Sequence, residues 1–250
     1  LLLEAQEGNW DEIDLVVRAF QQVNLAMRYS PVPVVVAPAG LALAGGCEIV
    51  LHGDRVQAAA ESYIGLVEVG VGLIPAGGGT KELMARAVEH SPDDLLPVMQ
   101  RVFETIAFAK VSTSAPHARE LGYLRDVDGI TMNRERLMAD AKAAALARVR
   151  DGYRPAPRRS AIPVGGERVF AALKLGVHLA WKAGRISDHD AVIGRALAKV
   201  VAGGALPHRA IVSEEYLLDL EREAFLQLCG ERKTLERIQH TLTTGTPLRN

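Results

Sequence analysis

Stretches with helical spacing of apolar residues alternate along this chain with short, unbroken apolar runs. Over residues 11–29, Ile13, Val16, Val17, Phe20, Val23 and Met27 fall on one stripe, with Asp14, Arg18, Gln21 and Arg28 elsewhere. That period predicts an amphipathic helix. Asn9 or Asp11 suits its start. Ser30-Pro31 ends it, because a residue preceding proline avoids helical angles. Residues 33–37, rich in valine, then read as a buried strand. A glycine-punctuated turn over 40–46, a short helix over 47–51 and a strand over 55–59 follow. Helix, strand, turn, helix, strand is the repeating unit of a layered α/β fold.

Residues 70–80 hold five glycines and a proline. A helix is predicted from Lys81, with Thr80 as its cap. Another starts at Ser91-Pro92-Asp93-Asp94, with a serine cap, proline at the first position and acids in the first turn. Others start near Ser114 and span 133–150. Prolines 155, 157 and 163, two glycines and Arg154, Arg158 and Arg159 mark 154–166 as a boundary. Beyond it, 167–182, 187–201, 213–228 and 231–243 read as helices, with no strand pattern. The expected organisation is an α/β unit over 1–153, a linker over 154–166 and an all-α extension over 167–250.

Composition narrows the function. Hydrophobic residues make up 48% and charged residues 24%, an ordinary globular balance. With 29 basic and 30 acidic residues the net charge is −1, which leaves no basic footprint for nucleic acid. Cys47 and Cys229 form no disulfide framework, although one bridge between them stays open; a reducing cytoplasm fits that usage. The most apolar stretch, 32–46, is broken by Pro33 and Pro38 and is too short to span a bilayer. No signal peptide is read at Leu1 to Leu3. The chain starts without Met and enters a helical pattern almost at once, so a start further upstream is expected. Seven histidines without ligand spacing predict no metal site. Gly77-Gly78-Gly79-Thr80-Lys81 has its lysine after the threonine, so a nucleotide P-loop is rejected.

Two segments carry candidate chemistry. Ala42-Leu43-Ala44-Gly45-Gly46-Cys47-Glu48 follows the valine strand. Glycines there let backbone approach a ligand. The helix start points N–H groups and its positive dipole end at the turn, a setting that can hold an oxyanion. The same residues also read as a tight turn with a helix-start acid. The second segment, Gly65 to Pro75, places Glu68 alone in an apolar, glycine-rich loop. A buried, unpaired carboxyl has a raised pKa, suited to proton transfer; a solvent-facing loop acid is the alternative. Arg148, Arg150, Arg154, Arg158 and Arg159 read as a solvated face, and Tyr216 to Phe225, with Glu215, Asp219, Glu221 and Glu223, as a core-plus-solvent helix.

Taken together, Gly45-Gly46-Cys47-Glu48, Asp54, Glu68 and Ile74-Pro75-x-Gly77-Gly78-Gly79-Thr80 resemble the crotonase (enoyl-CoA hydratase/isomerase) family. Residues 61–81 and the tail Pro247-Leu248-Arg249-Asn250 resemble the branch in which a bacterial 3-hydroxyacyl-CoA dehydrogenase precedes a hydratase on one polypeptide. The resemblance implies an N-terminally truncated crotonase-like α/β core followed by the helical extension. It implies that Gly45 N–H binds a thioester oxygen and that Glu48 and Glu68 flank one water. Gly46, Gly70, Pro75 and Gly77 would form the substrate loop. Hydration of trans-2-enoyl-CoA in fatty-acid β-oxidation would need no cofactor beyond the CoA thioester substrate. NAD would belong to the dehydrogenase half, and a cytoplasmic homo-oligomer is expected. Acids at both positions favour hydratase over isomerase, since family isomerases usually lack the first. A second oxyanion N–H and much of the CoA contact would come from upstream. Ala44 stands where many relatives have glycine. A non-catalytic module supporting the dehydrogenase is the alternative from another class.

Overall fold

A computed structural model describes residues 2–90 and 93–250. After α1 (Leu2–Glu7), α2 (Trp10–Arg28) leads into β1 (Val35–Val36), β2 (Gly40–Leu43) and α3 (Gly45–His52). Then come β3 (Arg55–Ala59), β4 (Ser62–Gly65) and a 3₁₀ helix (Glu68–Val71). β1, β3 and β5 (Gly129–Thr131) form one parallel sheet, with Val35 opposite Arg55 and Gln57 opposite Gly129. β2 and β4 form a second parallel pair, with Gly40 opposite Ser62. Short parallel strands alternating with helices are what the expected crotonase-like α/β core calls for.

Three short strands of this part of the chain, β2, β4 and β5, escape sequence reading. The glycine-rich stretch expected to be a turn is strand as far as Leu43, because its backbone pairs with Ser62–Gly65. β5 is too short to show a period. In α2 the expected stripe is rotated. Ile13 and Val17 are buried, but Val16 and Val23 are 66% and 54% exposed. Gln21 and Asn24 face inward instead, and their amides donate to carbonyls of the glycine loop: Gln21 to Ala76 O at 2.7 Å and Asn24 to Gly77 O at 2.8 Å. Unpaired buried carbonyls are costly, so two polar residues displace apolar ones on this face.

The remaining helices of the core are α4 (Gly79–His90), α5 (Leu95–Ala107), α6 (Ala115–Glu120) and α7 (Leu137–Arg150). Ser114 caps α6, accepting from His117 N–H. The proposed serine cap before α5 falls on 91 and 92, outside the described residues; α5 starts after Asp94. Leu51, Ile64, Leu66, Ile74, Met84, Met99 and Ile106 are fully buried between these elements.

The extension is helical apart from one strand. α8 (Gly166–Lys182), α9 (Asp188–Val201), α10 (Glu214–Cys229) and α11 (Arg232–Thr244) match the predicted spans closely. β6 (Ile162–Val164), in the expected linker, pairs antiparallel with β7 (Ala210–Val212). Ser187 and Asp190 form a capping box at α9, and Ser213 caps α10. α10 packs on α2 and α4, and α11 packs on the 3₁₀ helix at Glu68. Both cysteines are free and buried.

A charged cluster joins the extension to the core. Lys81, fully buried on α4, places Nζ 2.8 Å from Glu214 Oε1, 3.3 Å from Glu82 Oε2 and 3.0 Å from His52 Nε2. Glu82 also pairs with Arg28 and Arg86, at 3.0 Å each, and with Arg159 at 2.7 Å. These cations hold the Glu82 carboxyl well below the usual range, against the opposing effect of burial. Arg159 and Arg148, expected on a solvated face, are tied instead to Glu82 and Asp54. Removing one partner strands the others in a medium that cannot solvate them. Lys81→Met is therefore expected to destabilise the protein by about 3–5 kcal/mol, read as a lower urea midpoint.

Candidate active site

Glu48 lies in the first turn of α3 and is buried. Gly79 N–H donates to its Oε1 at 2.8 Å. Burial pushes its carboxyl up to about 7, opposed by the Gly79 and Gly77 amides and the Lys81 ammonium. The glycines are there for space. A Cβ on Gly77 would stand 2.4 Å from Phe20 Cε1 and 2.5 Å from Glu48 Oε2; one on Gly79 would stand 2.9 Å from Glu48 Oε1. Glu48 fits only because this loop has no side chains.

Glu68 opens the 3₁₀ helix. As a residue it is half-buried, but its Oε2 is enclosed and has no partner among the described residues. Burial, then the charge of Glu48, raises its carboxyl to about 8. The two acids therefore share one field and titrate as a pair. An enclosed carboxyl oxygen without a donor is the kind of unmet hydrogen-bonding capacity that a water or substrate atom can fill.

Gly45 starts α3, and first-turn amides have no acceptor within their own helix. The Phe20 ring reaches both glycines: a Cβ on Gly45 would lie 3.4 Å from Phe20 Cζ. Sequence periodicity placed Phe20 in a core stripe, yet it lines this site. A Cβ on Gly46 or Gly70 would meet nothing within 4 Å, and Pro75 is buried. Gly45, Glu48 and Gly77 thus converge around Phe20, with Glu68 within electrostatic reach. Gly46 and Gly70 face open space.

Beside Phe20, two more residues near the site were not legible in the sequence. Thr80, expected to cap α4, lies inside the helix, and its buried Oγ1 has no partner among the described residues. The start of α4 is met instead by carboxylates from distant elements. Glu221 of α10 accepts Gly78 N–H at 2.9 Å and Lys81 N–H in a still shorter contact, while Glu48 takes Gly79 N–H. A helix N-terminus favours negative charge. Burial and the neighbouring Glu48 push the Glu221 carboxyl well up. In sequence Glu221 is one of five acids on an amphipathic helix, and nothing there distinguishes it. Ala44, just before α3, holds φ 51° and ψ −123°, a region that costs a non-glycine residue free energy. Among the described residues no cluster of three metal-ligating side chains occurs.

With this geometry in place, known structures define the class. An enoyl-CoA hydratase from Bacillus halodurans superposes over 95% of this chain and 72% of its own, with TM-score 0.59 at 18% identity. A hydratase/isomerase from Mycobacterium paratuberculosis covers 88% and 64%, with TM-score 0.50 at 20% identity. The fold is crotonase-like. Residues 2–94 match the family model described as enoyl-CoA hydratase/isomerase. A Bacillus subtilis protein designated probable 3-hydroxyacyl-CoA dehydrogenase is 48% identical over the whole chain, which covers 31% of that relative. A provisionally designated fatty acid oxidation complex trifunctional enzyme of Rickettsia felis is 28% identical over 96% of the chain and 30% of its own length. The chain spans about a third of the length of these curated relatives. Among the described residues no helix is long and apolar enough to cross a membrane.

Two substitutions probe this architecture. Glu221→Gln keeps one acceptor oxygen where two amides need one each, so a loss of about 1–3 kcal/mol in denaturant-derived stability is expected. Ala44→Gly relieves the positive φ, and the same measurement is expected to show a gain of about 1 kcal/mol, net of the extra freedom glycine has when unfolded.

Proposed function

We propose that this chain supplies the hydratase site of a fatty-acid β-oxidation enzyme whose 3-hydroxyacyl-CoA dehydrogenase lies elsewhere on the same polypeptide. The observation that carries it is the pair of buried Glu48 and half-buried Glu68, whose enclosed Oε2 has no partner among the described residues, with carboxyls raised to about 7 and 8. At neutral pH such a pair keeps close to one shared proton, so it offers a base and an acid together. The Gly45 N–H donates a hydrogen bond to the thioester carbonyl oxygen of a trans-2-enoyl-CoA. Polarising that carbonyl draws electron density from the β-carbon and stabilises enolate character as it develops. One carboxylate takes a proton from water as its oxygen bonds to the β-carbon. The other carboxylic acid delivers a proton to the α-carbon. Water is consumed, nothing is oxidised or reduced, and the step needs no further cofactor.

The relatives support the setting. Relatives similar over the length of this chain are named for 3-hydroxyacyl-CoA dehydrogenase and for a fatty acid oxidation complex. NAD belongs to the dehydrogenase part in this scheme. The unit over 1–153 carries the chemistry, and 167–250 supports it across the 154–166 linker. A cytoplasmic homo-oligomer completes the proposal.

The test uses the full-length polypeptide with crotonyl-CoA. Glu68→Gln is expected to lower kcat by at least about 100-fold while circular dichroism stays unchanged. Turnover should peak between pH 7 and 8. Below that window both acids hold protons and no base remains; above it both are ionised and no acid remains. Unchanged hydration in Glu68→Gln would remove the catalytic role and leave a supporting module. Conversion of 3-enoyl-CoA without hydration would assign an isomerase.

A further inference from the structure

Thr234, on α11, is fully buried and takes no part in the chemistry above. Its hydroxyl donates to Gly72 O at 2.9 Å. The same hydroxyl oxygen lies 2.9 Å from Nε2 of His189, a buried residue in the first turn of α9. A hydroxyl has one hydrogen, and a carbonyl oxygen can only accept. The Thr234 hydrogen therefore goes to Gly72, and His189 must be the donor to Thr234. This fixes the imidazole as the tautomer with its proton on Nε2. Burial, then the charge of Arg237, holds His189 below its ordinary pKa, so the ring is neutral at pH 7.

A single peptide plane joins this pair to Glu68. The Gly72 carbonyl accepts from Thr234, and the N–H on the other side of that plane, from Leu73, donates to Glu68 O at 3.1 Å. Gly72 N–H closes the same 3₁₀ turn onto Val69 O at 3.2 Å. His189, Thr234, the Gly72–Leu73 peptide and the Glu68 backbone thus form one chain of donors and acceptors running in one direction, in which each bond polarises the next. The contact is also close. A Cβ on Gly72 would stand 2.8 Å from Thr234 Oγ1 and 3.0 Å from Thr234 Cα, so only glycine lets α11 sit here. One turn further along α11, buried Arg237 pairs at 2.8 Å with Asp190, the residue after His189. α9 and α11 therefore meet the 3₁₀ helix as a braced pair.

We infer that Thr234, held by His189, is a positioning residue for Glu68, so that the helical extension aims one of the two acids. The inference rests on the hydratase reading of Glu48 and Glu68. Glu68 is the acid that needs such support. Glu48 has its carboxyl oriented by Gly79 N–H, whereas Glu68 Oε2 has no partner among the described residues. The direction of the Glu68 side chain is inherited from the backbone of the 3₁₀ helix, and that backbone is what Thr234 holds. The sequence boundary over 154–166 is then no functional boundary, because the support for one acid lies beyond it.

The experiment uses the full-length polypeptide, crotonyl-CoA turnover and amide hydrogen exchange. Valine resembles threonine in shape and lacks only the hydroxyl, so it separates packing from hydrogen bonding. Thr234→Val should lower kcat per folded enzyme about 10- to 100-fold, since misplacing a reacting group by about 1 Å costs on that order. KM should stay near the wild-type value. Thr234→Ser keeps the hydroxyl and should restore most of kcat. In the Glu68→Gln background Thr234→Val should cost nothing further, because a residue that acts through Glu68 then has nothing to position. His189→Leu removes the donor behind Thr234 and should lower kcat in the same sense; it carries the test if the valine variant fails to fold. Exchange over residues 68–73 should quicken in the valine variant and return to the wild-type rate in the serine variant. Full kcat in the valine variant, a serine variant no better than valine, or losses that multiply in the double variant would each overturn the inference. If the wild type hydrates nothing while exchange over 68–73 still follows the hydroxyl, the brace stands and the hydratase reading fails. Exchange indifferent to the hydroxyl would remove the brace itself.

Discussion

The structure depends on one constraint: the first turn of α4 presents free amides in a place closed to water, and negative groups must come to meet them. No local side chain does so. The three consecutive glycines preceding and opening the helix leave a hollow, and two carboxylates fill it from opposite directions, Glu48 from α3 and Glu221 from α10. Burial raises both carboxyls while the amides oppose it. The acid that the family resemblance marks for proton transfer is thus also part of the fold's polar framework. The glycine loop is rigid at that point, held from the other side by the inward amides of Gln21 and Asn24.

The second proposed acid is held differently. Glu68 starts a 3₁₀ helix that α11 pins from outside: Thr234 donates to Gly72 O at 2.9 Å and its hydroxyl lies 2.9 Å from His189 Nε2. Gly72, at φ 88°, could not carry a side chain against Thr234. One acid is therefore fixed by hydrogen bonds to its carboxyl from the glycine loop, the other chiefly by its backbone, with Oε2 left without a partner among the described residues. That asymmetry gives two chemically identical groups different environments, the condition under which a pair can hold acid and base roles at once.

Much of this was legible in the chain, and the parts that were not share a cause. The amphipathic helices of the extension emerged nearly to the residue, because their period and Ser187 and Ser213 caps are local. Glu48, Gly45 and Glu68 stood out through glycine context and family likeness. β2 was misread because glycine in a strand looks like a turn until its partner is known. Glu221, Phe20 and the rotated stripe of α2 were missed for a related reason. Each is decided by a residue far off in sequence: Gly78 for Glu221, Ala76 for Gln21, Gly77 for Phe20. Periodicity reports which face is apolar on average. It does not report where the backbone of another segment will demand a donor.

The fan of cations around Glu82 bears on how such a polypeptide could be reshuffled. Arg28 precedes the sheet, Arg86 shares its helix, and Arg159 comes from the proline-rich stretch that marks the sequence boundary. Glu214, past that boundary, completes Lys81. A seam in composition is therefore crossed by charge pairs sealed from solvent. A recombination event at that seam would have to bring matching acids and bases with it, so the two parts can be inherited or exchanged as a unit far more readily than apart.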